Sequence, residues 1–467
     1  MKRTNLLTLL SLLILVSAAL AENPRDMRFS ELTFDPAEPV RFETENGMVV
    51  YFLEYHDLPI VAAAAYFRGG DVHDPSEKIG LAEITAQLVR TGGAGDRTGD
   101  QVDEDLDFVG ANIRSASHLE HLSIRLNALI KDHELVFGIL ADMLMRPAFD
   151  ADKLALEVSN LQDGIRRQND DSWSISRRVF RQTVYGDHPY GRFATLESSG
   201  RITREDVLTQ HRRFYAPDNC ILAITGDLAL EEAKQLIDKH FGSWRRSGRR
   251  IEPISPAAGS FTPGIYYAEK DINQANIRLG HLGLDDKHPD RFAMEVMNFA
   301  LGGGGFSSRM TSQIRTTAGL AYSVGTIQAT FPHRGLFFGY CLTRADAMSE
   351  AVRMMLEIIE DVRSNGIREE EMELAKDSIL NSYVFDYDTP GELVSARAQL
   401  ELSGFPPDQL QRTLEAYKAV TLEDCNRVAR EHLDPDHLAI VITGDRTQFD
   451  HPPETLGPVT AVSMETR

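Results

Sequence analysis

Three cysteines in 467 residues, Cys220, Cys341 and Cys425, are too few for a disulfide framework and too widely spaced for a CxxC zinc knuckle. One bridge at most is allowed, and Cys220, inside the apolar run "CILAI", reads as a buried free thiol. Positive charge is also short: 49 Lys and Arg face 70 Asp and Glu, a formal net charge of −21. A chain this acidic, without basic clusters in its sequence, repels nucleic acid and anionic membranes, whereas charge alone would favour cationic peptides. No low-complexity tract interrupts the composition, and past residue 21 no apolar stretch is long enough to cross a bilayer. No two of the 14 histidines stand four residues apart, so no helix offers an i, i+4 imidazole pair to a metal.

What is present begins with "MKRTNLLTLLSLLILVSAALAENPRD". Lys2 and Arg3 precede an apolar run, Leu6 to Leu20, that ends Ala19-Leu20-Ala21. This order is that of a secretory signal peptide, residues 1–21, with cleavage expected after Ala21. An uncleaved anchor is the other reading, but the run is shorter than the ~20 residues a span needs. No cysteine follows it, so lipid attachment is not indicated. The mature chain is expected to be exported, to the periplasm of a Gram-negative host or beyond, with no membrane span.

The chain also repeats itself. "ITREDVLTQHRRFYAPDNCILAITGD" starts at Ile202 and "VTLEDCNRVAREHLDPDHLAIVITGD" at Val420, and every matched pair is 218 residues apart without a gap. The same offset pairs "FDADKLALE" at Phe149 with "IREEEMELA" at Ile367. Each half reads as short strands, a helix, further strands, a set of helices and a last apolar strand ending in Gly-Asp. The expected fold class is α+β: two homologous αβ domains, each a sheet covered by helices, facing each other across a peptide cleft. The boundaries expected are 22–245 for the first domain, a Pro/Gly/Ser-rich linker at 246–262, 263–447 for the second, and a loose polar tail at 448–467.

In "GLAEITAQLVRTGG" the helical spacing of Leu81, Ile84 and Leu88 puts Glu83 and Gln87 together on the other face of one predicted helix. That segment, "HPYG" at His188 to Gly191, the paired "ITGD" strand ends and "SSRMTSQIRTTAGLAYSV" together resemble the insulinase/pitrilysin-type metallopeptidases. The resemblance covers nearly all of the mature chain and is closest to the short-chain, processing-peptidase-like branch. It implies a fold of two αβ halves enclosing an extended peptide, and a zinc motif His-x-x-Glu-His with a third, carboxylate ligand on a later helix. Carried over, the first His is Glu83, the general base is Ala86 and the second His is Gln87. The third-ligand helix resembles "LEVSNLQDGIRRQNDD", in which Glu157 matches the leading Glu and Gly164 stands at the ligand position. One carboxylate and one amide make a poor zinc site, and Ala86 cannot activate water. The resemblance therefore implies a degenerate zinc site: no cofactor held by this chain, and zinc expected on a partner subunit with the intact motif. "SHLEHLSIRL" is one residue short of that motif, and its alternation reads as a strand with exposed His118 and His121 on opposite faces.

The second half keeps what the first has lost. Gly302, Gly303, Gly304 and Gly305 precede Ser307 or Ser308 as a helix N-cap; a short helix carries Met310 and Ile314, and Gly319 ends it before the strand "LAYSVGTI". No Gly-Lys-Ser/Thr follows the glycines, so they form no P-loop. The resemblance implies a mobile substrate-binding loop there, and a substrate-binding pair, an Arg and a Tyr seven residues on, at Arg315 and Tyr322. A guanidinium and a phenol can both donate to a peptide carbonyl or to the oxyanion formed from it. The expected function is that of a non-catalytic, substrate-binding subunit of a heteromeric exported zinc peptidase. A structural subunit without peptidase role and an autonomous peptide-binding protein are the alternatives.

Overall fold

Alternate residues of the second long strand are apolar on both faces: Val61, Ala63, Ala65 and Phe67 bury on one side, Ala64 and Tyr66 on the other. Such a strand needs cover above and below. The computed structural model, which describes residues 34–258 and 261–464, supplies it in two matching layers. The predicted signal peptide lies outside the described residues.

In the first half the strands are β1 (Val40–Glu43), β2 (Val49–Glu54), β3 (Ile60–Arg68), β4 (Asn112–Ser117), β5 (His121–Leu129) and β6 (Cys220–Gly226), in the sheet order β1-β2-β6-β3-β5-β4. In the second they are β7 (Gly264–Glu269), β8 (Gln274–Leu282), β9 (Ala321–Ala329), β10 (Leu336–Arg344), β11 (Ala439–Gly444) and β12 (Val459–Ala461), in the order β12-β7-β11-β8-β10-β9. The two orders coincide strand for strand except at one edge. There the first sheet has β1 antiparallel to β2, and the second has β12 parallel to β7. The loose tail expected from residue 448 is thus corrected. Val459 to Ala461 pair with β7, and Val462 N–H donates to the Tyr267 carbonyl at 2.7 Å. The open edge of β7 offered unpaired backbone groups, which outweighed the polar composition of the segment.

The helices of the first half are α1 (Leu81–Thr91), α2 (Gly99–Val109), α3 (His133–Met145), α4 (Ala151–Arg167), α5 (Ser172–Tyr185), α6 (Leu196–Gly200), α7 (Arg204–Phe214) and α8 (Leu230–Phe241). Those of the second are α9 (Arg291–Asn298), α10 (Met348–Asn365), α11 (Glu369–Tyr383), α12 (Pro390–Leu402), α13 (Gln409–Ala419) and α14 (Leu422–His432). The starts of α4 and α11, of α5 and α12, and of α7 and α14 are each 218 residues apart, as the repeat requires.

Helices of its own half cover one face of each sheet. The other face is covered by exchange: α5 crosses to pack on β8 and β11, and its counterpart α12 crosses to pack on β2, β3 and β6. Ile175, Val179, Phe180 and Val184 of α5 bury with Leu336, Phe338, Ala439 and Val441. Val394, Ala398 and Leu402 of α12 bury with Tyr51, Tyr66 and Ile221. Burying a Val, Leu or Phe side chain contributes about 1.5–3 kcal/mol, so these clusters hold the halves far more firmly than exposed ion pairs could. Polar contacts set the register of the exchange: Arg41 forks onto Glu401 at 2.7 and 2.8 Å, and the Tyr51 hydroxyl donates to Glu401 at 2.5 Å. Tyr190 of the "HPYG" turn is fully buried, and its hydroxyl accepts from His333 N–H in the other half at 3.2 Å. From Pro36 onward the described residues form one compact unit. Where the sequence suggested a cleft, the two exchanged helices stand, with a cavity of about 650 Å³ beside them, lined by residues of both halves.

Arg278 of β8 sits in that exchange with no carboxylate within ion-pair reach among the described residues. It is 4 % exposed, and its guanidinium lies between the rings of Trp173 on α5 and Phe338 on β10, 4.7 and 4.6 Å from their centroids. Burial and the nearby Arg177 lower its pKa to about 10, so it is charged at neutral pH and two aromatic faces stand in for an anion. All three cysteines are buried free thiols.

His118 and His121 do not point to opposite faces of a strand. β5 starts at His121 and His118 belongs to the β4–β5 turn, closed by a His118 N–H bond to the His121 carbonyl at 2.8 Å; the rings stack 4.2 Å apart. The turn reverses the chain between them, which cancels the alternation. Glu120 of this turn lines the interhalf cavity, and burial, with Asp286 of the second half, raises its pKa to about 7.

Two predictions follow from this interface. Trp173→Leu should lower stability by about 1–2 kcal/mol in equilibrium unfolding, and Arg278→Met should add little on top of it; full additivity would show that the sandwich carries no coupling. The folded state holds the Glu120 proton more tightly than the unfolded chain does. Wild type should therefore lose stability relative to Glu120→Gln as pH rises from about 4.5 to about 7, with no difference below that window, in denaturant titrations at stepped pH.

Candidate functional site

The first candidate site lies on α1 and α4, which pack together. The buried Asp74 carboxylate starts α1 by accepting from Gly80 N–H at 2.8 Å and Ala82 N–H at 2.9 Å, and burial pushes its pKa up to about 7. Leu81, Ile84 and Leu88 join the core, which turns Glu83 outward and leaves Gln87 half-buried. Ala86 is fully buried and offers no base. On α4, Glu157 accepts from Thr91 Oγ1 at 3.0 Å and from Asn160 Nδ2 at 3.3 Å. The structure thus brings Glu83, Gln87 and Glu157 to one face, joined by Asp71, which the sequence did not single out and which accepts from Ser117 Oγ at 2.5 Å. Although Glu83 reaches solvent, the protein packed around its carboxylate desolvates it, and with Asp71 and Glu157 nearby this raises its pKa.

These groups do not fit zinc. Gly164 is exposed, and a Cβ there would touch nothing within 4 Å, so the third-ligand position is open space and not a packing necessity. Neither Glu83 nor Glu157 belongs to any set of three ligand-type side chains converging within 4.8 Å; His288, Asp290 and His432 form one such set among the described residues. That set is a structural clamp. Asp290 receives Arg427 at 2.6 and 3.1 Å and His432 at 2.8 Å, which hold its carboxyl far below the usual range. His288 Nδ1 accepts from Asp290 N–H at 3.2 Å. A guanidinium already neutralises the carboxylate a cation would need.

The second candidate site is the segment from Gly302 to Tyr322. Phe299–Gly303 continues α9 with the wider π spacing, and Ser308 caps the next helix, whose Thr311–Thr317 stretch is again π-helical. Gly319 takes φ +65° and ends it before β9, as expected. The glycines have packing reasons: a Cβ on Gly302 would collide with Thr326 of β9, one on Gly304 with the Phe299 ring, and Gly305 takes φ +57°. That turn delivers Phe306, 69 % exposed, against Arg315, whose guanidinium lies 4.7 Å from the Phe306 ring and 5.3 Å from the Tyr322 ring. Tyr322, at 76 % exposed, lies on the surface, not in the core. Arg315 makes no ion pair or hydrogen bond within the described residues, although acidic residues abound. Phe306 went unnoticed in the sequence; a large aromatic directly after four glycines was the available signal. No hydrogen bond or ion pair joins this segment to α1 or α4 among the described residues.

Two sequence profiles of one family match this arrangement: Insulinase (Peptidase family M16) over residues 50–194, and Peptidase M16 inactive domain over residues 201–379. The chain belongs to the insulinase family, peptidase family M16, as an inactive-type member. Among its relatives, a protein named an uncharacterized zinc protease in Mycobacterium leprae is 28 % identical over 74 % of this chain and 78 % of its own. A non-peptidase homolog from Helicobacter pylori is 23 % identical over 85 % of this chain and 92 % of its own. The fold is shared with the crystal structure of a peptidase M16 inactive domain from Pseudomonas fluorescens, at TM-score 0.81 and 23 % identity over 89 % of this chain and all of that one. It is shared also with the periplasmic protease PqqL of Escherichia coli, at TM-score 0.74 and 15 % identity over 91 % of this chain and 49 % of that one. No helix among the described residues is long and apolar enough to cross a membrane.

Gly164→Ala should raise stability by about 0.5–1 kcal/mol, read as an upward shift of the thermal midpoint, because mid-helix glycine costs backbone entropy and the added methyl meets nothing. A fall in the midpoint would mean that the position is packed. Purified chain dialysed against zinc should retain far less than one ion per molecule by elemental analysis.

Proposed function

We propose that this chain is the non-catalytic, substrate-binding subunit of an exported, heteromeric zinc peptidase. Zinc is held by a homologous partner subunit with an intact His-x-x-Glu-His motif, and this chain supplies Arg315 and Tyr322. The observation that carries the reading is the guanidinium of Arg315, steered by two exposed rings and without an ion pair or hydrogen bond among the described residues of an acidic protein. A partnerless, oriented set of N–H donors suits a peptide carbonyl, and becomes more valuable as negative charge develops on that oxygen. The Tyr322 hydroxyl adds a second donor, and the glycine turn carrying Phe306 lies beside them as the substrate-binding loop. Substrates on this reading are short or unfolded peptides. The degenerate positions Glu83, Ala86, Gln87 and Gly164 support the assignment of metal chemistry to another chain.

The name of the Helicobacter relative favours a second reading, a structural subunit without peptidase role. The two part experimentally. Mixed with its motif-bearing partner, the chain should restore cleavage of an unfolded peptide. Arg315→Ala and Tyr322→Phe should each lower kcat by about 10²–10³-fold, the range for loss of one oxyanion donor, with complex formation unchanged. A stable complex that cleaves nothing, or cleavage indifferent to both substitutions, would leave the structural reading.

A further inference from the structure

The outer helical layer of the first half contains a feature that neither candidate site uses. Helices α3, α7 and α8 and the segment after α8 surround an open cavity of about 1100 Å³. Six arginines and lysines line it against two carboxylates, Glu134 and Asp142, in a chain whose net charge is −21. Both carboxylates are engaged: Asp142 by Arg97 and Arg146, Glu134 by Lys239 and His240. Three guanidinium groups remain in excess. Arg245 has no ion pair or hydrogen bond among the described residues, and Arg246 reaches only the Glu45 carbonyl, at 3.0 Å. Arg212 has a loose contact with Glu205 at 3.9 Å. All three are exposed.

The walls between these charges are apolar, with Leu208, Met145 and the nearly buried Trp244 lining the same space. His211, 8 % exposed in the wall, has a buried Nε2 without a hydrogen-bond partner, and burial lowers its pKa to about 4, so it adds a neutral polar group. At about 1100 Å³ the cavity slightly exceeds the usual range for small-molecule pockets, about 300–1000 Å³, and has room for a polypeptide segment. The sequence shows part of this patch in Arg245 and Arg246, but Arg212 is 33 residues from Arg245 and joins them only through the fold.

We propose that this cavity is a docking site for an acidic segment of a partner polypeptide that carries an apolar side chain. Its carboxylates would meet the exposed guanidinium groups of Arg212, Arg245 and Arg246, of which Arg245 has no partner among the described residues, and its apolar side chain would seat against Trp244. Guanidinium groups recognise carboxylates through paired N–H donors, and a positive groove on a negative protein selects an acidic partner against the repulsion of the rest of the surface. The proposal does not depend on the peptidase reading.

The test uses the full mature chain and a fluorescein-labelled dodecapeptide of Glu and Asp with one central Leu, followed by polarisation. Saturable binding is expected, weakening with added salt. The Arg212→Ser/Arg245→Ser double variant should bind at least tenfold more weakly, while Arg353→Ser, a change at an exposed arginine of α10, binds as wild type does. Replacing the central Leu of the peptide by Ser should also weaken binding several-fold. Both substituted arginines are exposed, and circular dichroism verifies that the double variant is folded. No saturable binding, equal binding by the double variant, or loss of binding in Arg353→Ser would overturn the proposal. So would displacement of the peptide by equimolar inorganic phosphate, or tighter binding to phosphatidylglycerol vesicles than to the peptide.

Discussion

Reciprocal helix exchange is the constraint on which the rest of this molecule depends. Each sheet is apolar on both faces, but each half brings enough of its own helices to cover only one. The uncovered faces are satisfied when α5 crosses to the second sheet and α12 to the first. Neither half buries its sheet alone, so the halves are expected to fold and hold as one unit. The buried Arg278 follows from the same constraint. A charge at the centre of the exchange is tolerable because Trp173 comes from one half and Phe338 from the other, and together they solvate a guanidinium without a carboxylate.

That architecture leaves two surfaces with unspent chemistry. On α1 and α4, Glu83, Gln87 and Glu157 share one face, with Ala86 buried and Gly164 open to solvent. On the second half, a turn of glycines fixed by close approach to Thr326 and Phe299 presents Phe306 to Arg315, and Tyr322, the second residue of β9, also lies against that guanidinium. Among the described residues, no set of three ligand-type side chains converges at Glu83 or Glu157, whereas the second half presents Arg315 between two exposed rings without an ion pair or hydrogen bond.

Much of the fold was legible in the sequence, because the repeat at offset 218 and the period of the apolar residues are local signals. They located α4, α7 and the ITGD strands and their counterparts, and the helix cap before Met310. The residues of both candidate sites were also legible, though only through a family resemblance, since an Arg and a Tyr seven apart say little by themselves. What escaped was non-local. His118 and His121 looked like a strand until a hairpin turn brought their rings together. The polar tail looked loose until the open edge of β7 recruited it. Phe306 became notable only once its exposure and its distance to Arg315 were known.

The linear chain by itself determined the duplication, the α+β class, the want of any i, i+4 histidine pair and the scarcity of cysteine, each of which rests on residue identity and spacing. Tertiary structure alone decided which helix covers which sheet, which carboxylates are already neutralised, and where arginines from distant segments gather. Those properties belong to pairs of residues far apart in sequence, whose encounter is set by the burial of both faces of each sheet and cannot be read from either member alone.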